Sequence, residues 1–288
     1  MMNEYKALII RRAPKFSPNS VEKDCAIIEA VADILSSSGI SVRMTDEDLL
    51  TSDDMVNIDM VLTMCRSRRA LDILTPFEDK VAMINVPSSI MACNRKDIRK
   101  VMRRNNLPYP TPGKIYGNSA VWIKRADGHT MVEHDVVFCE SGADKTAAVR
   151  YFKSIGSEYI TQAHVEGDLV KFYGVGSDFF RTFYPGDDGD VKYTKDLCQD
   201  KPRHYAYGSE SLREAAETIA REIGIDVWGG DAIITPDGDY YIIDFNDWPS
   251  FSRCRDDAAK AIAQRIILRI TGMYLLRNKE IKERSNGR

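Results

Sequence analysis

The residues best suited to chemistry lie in one stretch, Gly224-Ile-Asp-Val-Trp-Gly-Gly-Asp-Ala-Ile-Ile-Thr-Pro-Asp-Gly-Asp-Tyr-Tyr-Ile-Ile-Asp-Phe-Asn-Asp-Trp-Pro-Ser-Phe251. Residues two apart on a strand share a face, so Asp244 and Asn246 project together while Phe245 turns into packing. A hairpin turned by Pro236-Asp237-Gly238 brings Asp231 beside them. Two carboxylates and a carboxamide oxygen converging on one point make an all-oxygen site of the kind Mg²⁺ prefers, with waters and substrate phosphates filling the other positions. An isolated Asp-x-Asn is more often a solvated pair at a strand end. Here the acid stands in an apolar strand beside Trp248-Pro249, where leaving it unpartnered is costly.

The second element is lysine. Lys124 sits in Val121-Trp-Ile-Lys-Arg-Ala-Asp-Gly-His-Thr130, an apolar strand running into a short loop whose Asp127-Gly128 permits a tight turn. Its ammonium can reach phosphate oxygens, and the N–H groups of the loop can cover them. Taken alone, Lys124 could equally be an edge-strand solubility lysine. Lys96, at the start of a helix after Met91-Ala-Cys-Asn94, offers a second phosphate contact, although alone it would pass for a surface charge.

Positioning these groups requires a chain of ordinary enzyme proportions. The 288 residues carry 40 Lys+Arg against 43 Asp+Glu, with 43% hydrophobic and 29% charged residues, which excludes collagenous, disordered and disulfide-scaffold classes. About two domains are expected at this length. A net charge of −3 argues against a general nucleic-acid binder. Glu4 and Lys6 interrupt the apolar segment that a signal peptide needs, and no window approaches the roughly 20 apolar residues of a membrane span. A cytoplasmic protein with no membrane or nucleic-acid partner is therefore expected. Cys25, Cys65, Cys93, Cys139, Cys198 and Cys254 show no Cys-x-x-Cys or zinc-ligand spacing and read as reduced thiols.

The first 90 residues read as βαβ: Tyr5 to Ile10, a helix over Val21 to Ser37, then Ser41 to Met44, Met60 to Met64 and Val81 to Asn85. The helix has Asn19 as N-cap, Glu22 three residues on, and Gly39 as its stop. A second helix spans about Arg95 to Asn105, and Leu107-Pro-Tyr-Pro-Thr-Pro-Gly113 behind it is a linker, because prolines remove donors and restrict their predecessors. Beyond Val121 the pattern turns α+β, with strands at Val121 to Lys124, Val136 to Cys139, Tyr159 to Ala163, Leu169 to Val175 and Phe179 to Tyr184, and a helix over about Asp144 to Ile155. A helix opened by Ser211 and Glu214 and closed by Gly224 precedes the hairpin of Asp231 to Ile234 and Tyr240 to Phe245. A last helix spans about Asp256 to Thr271, with a charged, frayed tail from Arg277.

Together these residues resemble an ATP-grasp enzyme. The likeness rests on Lys96 in Cys-Asn-Arg-Lys before Leu-Pro-Tyr-Pro-Thr-Pro, Lys124 ahead of a small loop, Ile-Thr-Gln-Ala-His-Val-Glu-Gly-Asp168, and the Asp231, Asp244, Asn246 set. The hairpin resembles the magnesium motif of the D-alanine:D-alanine ligase, glutathione synthetase and ribosomal-protein glutamate ligase group. The resemblance implies a pre-ATP-grasp α/β domain over residues 1–92, a central subdomain over 93–165 and a C-terminal subdomain over 166–288. It implies that Lys96 and Lys124 hold the α- and β-phosphates, that Asp127, Gly128, His129 and Thr130 close over the triphosphate, and that Gln162 to Val165 form the hinge. Backbone at Ala163 and Val165 would then pair with adenine and Asp168 would lie near the ribose. Asp231, Asp244 and Asn246 would bind one or two Mg²⁺ ions that bridge the phosphates. Two positions depart from the pattern: Gly229 stands where several amino-acid ligases of the group carry Arg, and Asp244 replaces the more usual Glu.

Ligands of parallel α/β sheets sit beyond the C-terminal strand ends, which are basic here: Arg11, Arg12 and Lys15 after the first strand, Arg66, Arg68 and Arg69 after the third. An anionic small molecule or peptide held by guanidinium forks is the implied acceptor, with solvated loop charges as the alternative. The group's commonest reaction phosphorylates a carboxylate and captures the acylphosphate with an amine. The alternative is phosphorylation of a hydroxyl, since Lys124 to His134 and Val-Glu-Gly-Asp-Leu-Val-Lys-Phe-Tyr-Gly-Val-Gly176 also resemble the ATP-grasp inositol phosphate kinases. His134 and Lys171 would then contact the acceptor or the transferring phosphate, and Arg181 is a candidate for the γ-phosphate or the intermediate. A non-catalytic nucleotide-binding module is disfavoured by the retention of both metal acids. The stretch from Asp187 to Gly208 has the composition of a segment that orders over substrate. A monomer or homodimer is expected.

Overall fold

The structure is a computed structural model that describes residues 5–17, 20–114, 119–126, 133–188 and 201–286. The chain divides into two compact units, Met1–Ile90 with Ile225–Val227 and Ser250–Arg288, and Met91–Gly224 with Trp228–Pro249. Residues 250–288, which the sequence reading joined to the hairpin, thus fall with the N-terminal sheet.

The first unit is built on β1 (Lys6–Arg11), α1 (Val21–Ser37), β2 (Ser41–Asp46), β3 (Met60–Thr63), α2 (Arg68–Leu74), β4 (Ala82–Ile84) and α3 (Pro87–Ala92). Its strands form a parallel sheet in the order β2-β1-β3-β4. Continuous apolar runs such as Ala7 to Ile10 and Met60 to Leu62 are fully buried, as strands covered on both faces must be. The 3.6-residue stripe Ile27, Ile28, Val31 and Leu35 of α1 is buried, and the C-terminal helix Arg255–Asn286 packs beside α1 and buries Ala258, Ala259, Ile262 and Ala263. The helix starts after Ser20; Asn19, the expected cap, lies outside the described residues.

Two elements differ from expectation. Arg68 and Arg69 lie not in a loop but in the first turn of α2, because Ser67 accepts the Ala70 N–H as an N-cap and Ala70, Leu71 and Leu74 supply a buried stripe. The C-terminal helix does not stop near Thr271 but runs to Asn286, since its residues are mostly good helix formers and one glycine, Gly272, costs only about 1 kcal/mol.

Side chains stitch this unit together. Asn85 is buried, donating to Val227 O (2.9 Å) and accepting from the N–H groups of Asp226 (2.8 Å) and Val227 (2.9 Å). Asp226 in turn holds Arg265 (2.8 Å) and Arg269 (3.0 Å) of the C-terminal helix. Glu47, with no exposed surface, accepts from the N–H groups of Ala13 (2.8 Å) and Arg66 (2.7 Å) and from that of Ser67, joining the loops that follow three strands. Glu47→Gln turns an amide N–H toward these donors, and we expect it to lower stability by about 2 kcal/mol, read as a lower melting temperature. An unchanged melt would remove Glu47 from this role. No cysteine among the five described forms a disulfide.

The second unit contains α4 (Arg95–Arg104), β5 (Val121–Arg125), β6 (Val136–Cys139), α5 (Gly142–Ser154), β7 (Tyr159–Ala163), β8 (Asp168–Val175), β9 (Phe179–Phe183), α6 (Ser209–Ile223), β10 (Val227–Ile234, from Trp228 on) and β11 (Tyr240–Asp247). Three strands pair antiparallel in the order β6-β5-β7, and four form a second sheet in the order β11-β10-β8-β9. On the three-stranded sheet Val121 and Ile123 pack on Ala148 and Phe152 of α5, so Trp122 and Lys124 emerge from the opposite face. In the four-stranded sheet Phe172, Phe180, Trp228 and Phe245 cluster on one face. Alternation then places Lys171, Arg181, Asp231, Asp244 and Asn246 on the other face, through the registers Tyr173↔Arg181 and Asp231↔Asp244. The β10–β11 turn closes at Gly238, whose φ of 85° suits a residue without Cβ. Among the described residues no helix is long and apolar enough to cross a membrane.

Candidate functional site

The β10–β11 hairpin sets Asp231 directly opposite Asp244 and Gly229 opposite Asn246, with a register shift after Asp231. The Asn246 side chain hydrogen bonds to Asp244. These oxygens sit on the polar face of the sheet, as the spacing in sequence implied.

Four further side chains converge on them. Lys124 is buried and its Nζ donates to the Ile243 carbonyl (3.0 Å), which also accepts from Gln162 Nε2 (3.2 Å). Lys171 Nζ lies 2.8 Å from Asp231 Oδ1. Arg95, the first residue of α4, directs Nε to Asp244 Oδ1 (3.3 Å) and Nη2 to Asp244 Oδ2 (3.2 Å), while Nη1 donates to the Arg125 carbonyl (3.2 Å). The helix is fixed beneath it by Asn94, which accepts the Asp97 N–H (3.0 Å).

The electrostatics follow from this packing. Burial lowers the Lys124 pKa to about 8, Asp244 and Asp231 push it back up, and Arg95 adds to the lowering. Burial alone would raise Asp244, but Arg95, Lys124 and the Asn246 hydrogen bond outweigh it and hold the carboxyl below its ordinary value. Asp231 raises Lys171, against burial.

Several expected site residues are placed otherwise. Lys96 does not face these carboxylates; its ammonium is spent on Glu158 Oε1 and Oε2 (both 2.7 Å), because one step along α4 turns the side chain about 100° from Arg95. Asp168 accepts the N–H groups of Arg203 (2.9 Å) and Tyr205 (3.2 Å), so it anchors that segment at the start of β8. His134 stands against Tyr151 of α5, the helix on the face of the sheet away from Lys124. Arg181 shares the face of Lys171, where it lies over the Phe179 ring and donates to Phe180 O (2.9 Å). Ala163 and Val165 are buried where β7 ends. Asp127, Gly128, His129 and Thr130 lie outside the described residues, as do 189–200 of the expected substrate lid.

The basic strand ends of the first unit already have partners. Arg11 pairs with Asp46 (2.7 Å), Arg12 with buried Asp24 (3.1 Å), Lys15 with Asp48 (3.1 Å) and Arg68 with Asp72 (2.9 Å). Arg69 donates to the Leu50 carbonyl (2.7 Å), and at Arg66 it is the backbone N–H, not the guanidinium, that Glu47 holds. The acids that balance these cations come from β2, α1, α2 and the loop after β2, so the runs of basic residues overstated the free positive charge.

The residue missed in the sequence is Arg95. It stands beside Lys96 at the helix start, and only the rotation of the first turn decides which of the two reaches Asp244. Gly229 is also explained: a Cβ there would lie 2.8 Å from Phe172 O and 2.8 Å from Pro249 Cγ. Gly229→Arg is therefore expected to destabilise the chain by about 1–3 kcal/mol or prevent folding, read by thermal melting. A variant as stable as the parent would mean that this backbone yields more than its contacts allow.

Mg²⁺ fits the donor set. Asp231, Asp244 and Asn246 offer only oxygens, in register on one face, and the ion is ordinarily completed by waters and phosphate oxygens. Among the described residues no group of three or more His, Cys, Asp or Glu is placed to hold a metal, so the carboxamide is needed as the third donor.

No protein-family model matches the sequence, and no curated protein is similar to it. Solved structures are similar. The D-alanine–D-alanine ligase of Bacillus anthracis complexed with ATP superposes with a TM-score of 0.65 at 11% identity, covering 96% of this chain and 99% of that one. D-alanyl-alanine synthetase A of Vibrio cholerae gives 0.66 at 11% identity over 94% and 100%. A D-cycloserine synthetase gives 0.58 at 14% identity over 91% and 99%. The chain has the ATP-grasp fold of these ligases.

Proposed function

We propose that this chain is an ATP- and Mg²⁺-dependent ligase that activates a carboxylate as an acylphosphate for attack by an amine. The observation that carries this reading is the meeting of Lys124, Arg95 and Lys171 with Asp231, Asp244 and Asn246 in one fold unit. Such a set cradles a triphosphate and its metal, and catalysis there is mostly positioning and electrostatics.

In this reading Lys124 and Arg95 bind phosphate oxygens, and Lys171 and Arg181 stabilise charge on the transferring group from the adjoining sheet. Gln162 orients the strand end whose Ala163 and Val165 backbone meets the adenine. Asp231, Asp244 and Asn246 would hold Mg²⁺, which would supply charge neutralisation at the phosphates. A carboxylate oxygen of the acceptor attacks the γ-phosphorus as the bond to the β–γ bridging oxygen breaks and ADP leaves. The amine then attacks the acyl carbon, expels phosphate carrying one former carboxylate oxygen, and loses a proton. The similar structures bear ligase and synthetase names, and nothing in the site favours the kinase alternative. Because acids or carbonyls engage Arg11, Arg12, Lys15, Arg68 and Arg69, the acceptor is specified only as a carboxylate.

The test is ATP turnover with Mg²⁺ against a pool of small carboxylates and amines, with ADP and free phosphate assayed separately and hydroxylamine as trap. A ligase yields ADP, equal free phosphate and a hydroxamate. ADP without free phosphate, together with a phosphorylated hydroxyl product, would make the protein a kinase and overturn the proposal.

A pH dependence follows. With the Lys124 pKa at about 8, the ammonium fraction falls from about one half at pH 8 to about a tenth at pH 9, whereas phosphate beside it restores the charge. Nucleotide binding at pH 8–9 should therefore take up a proton and weaken as pH rises. Calorimetry in buffers of different ionisation enthalpy reads this directly, and binding with no proton uptake at pH 8.5 would contradict it.

A further inference from the structure

Each carboxylate of the proposed magnesium site already holds a cation. Arg95 spans both oxygens of Asp244 at 3.3 and 3.2 Å, a two-pronged contact, and Lys171 sits 2.8 Å from Asp231. Lys124 acts on both acids from the neighbouring sheet. Three cations thus face two carboxylates. A bare divalent ion entering here must displace an ion pair from each acid and join a region with excess positive charge, which is unfavourable at close range. A nucleoside triphosphate brings the opposite balance, because its phosphates offer Arg95 and Lys171 new anionic partners.

We infer that Arg95 and Lys171 are internal counter-ions exchanged for the metal only when nucleotide phosphates arrive, so that metal affinity in this chain is conditional on nucleotide. This rests on the function proposed above and adds to it a second role for Arg95, as the counter-ion of Asp244 before nucleotide arrives. The exchange needs little movement. The backbone of Arg95 is fixed by the Asn94 cap, and the long side chain can move from Asp244 to a phosphate by changing rotamers, giving up its contact with Arg125 O as it does so. Lys96 cannot substitute, since its ammonium is held by Glu158. Linkage requires reciprocity: if nucleotide raises metal affinity, metal raises nucleotide affinity by the same factor.

Mn²⁺ serves as the probe, followed by electron paramagnetic resonance in titrations of the full chain, with and without a saturating non-hydrolysable ATP analogue. The parent should bind Mn²⁺ about 30-fold more tightly with the analogue than without it, within the usual span of coupling between sites. Arg95→Met, which frees Asp244, should bind Mn²⁺ alone about tenfold more tightly than the parent while binding the analogue more weakly. Arg95→Lys keeps the charge without the fork and should fall between, and it preserves the test if the methionine variant does not fold. Equal Mn²⁺ affinity with and without analogue in the parent, or free Mn²⁺ affinity unchanged by both substitutions, overturns the exchange while leaving the functional reading intact. An analogue that fails to bind the parent at all overturns both.

Discussion

Replacing Asp244 by asparagine is expected to lower ATP turnover by about 10³-fold or more, the scale seen when a group that stabilises charge in phosphoryl or acyl transfer is removed. The substitution keeps the shape and one acceptor oxygen for Arg95 but removes the negative charge that Mg²⁺ and the two neighbouring cations need. Asp244 balances both Arg95 and Lys124. Its loss leaves them facing each other, and a stability cost of about 1–3 kcal/mol accompanies the loss of activity. The parent keeps this contribution at neutral pH and loses it as pH falls through the depressed carboxyl pKa, below the ordinary value. The variant should show a flatter acid limb in its stability profile. Parent-like turnover in Asp244→Asn would remove the hairpin from the chemistry.

Lys124→Met should separate stability from function. In the parent the folded chain holds Lys124 at a pKa of about 8 against 10.5 for a free lysine, chiefly through burial. The unfolded chain binds the proton more tightly, so keeping this lysine charged in the fold costs about 3 kcal/mol at neutral pH, and stability rises as pH climbs from 8 toward 10.5. Methionine removes that cost and fills similar space, and the Ile243 carbonyl keeps its hydrogen bond from Gln162. The variant should melt at or above the parent temperature at pH 7 and lose the rise in stability at alkaline pH. Its affinity for Mg·ATP should drop about 10²-fold, the value of a charge-assisted phosphate contact. A variant that melts lower yet binds nucleotide normally would make Lys124 a structural cation.

Much of the positioning framework can be read in the sequence because it depends on short-range periodicity. The α1 stripe, the β5 alternation that sends Lys124 away from Val121 and Ile123, and the Asp244-x-Asn246 spacing are all set by geometry within one element. What could not be read depends on partners distant in sequence. Arg12 finds Asp24, Arg11 finds Asp46 and Lys96 finds Glu158, and in each case a cation that looked available is neutralised by an acid that only the fold brings near. Arg95 was hidden for a related reason, since nothing local distinguishes it from Lys96 until the phase of α4 is fixed by the Asn94 cap. Ser67-Arg-Arg-Ala-Leu does carry a local signal for α2, a cap followed by a buried stripe, beside a basic pair that equally suits a ligand.

The measurement that bears most directly on carboxylate activation is oxygen-18 transfer. With the acceptor found in the hydroxylamine screen labelled in its carboxylate, each turnover with the amine should release phosphate carrying one labelled oxygen, because the bond that joins acyl carbon to the phosphoryl oxygen is the one the amine breaks. Phosphate free of label, formed at the rate of product, would show that the carboxylate never bonds to phosphorus and would contradict the account.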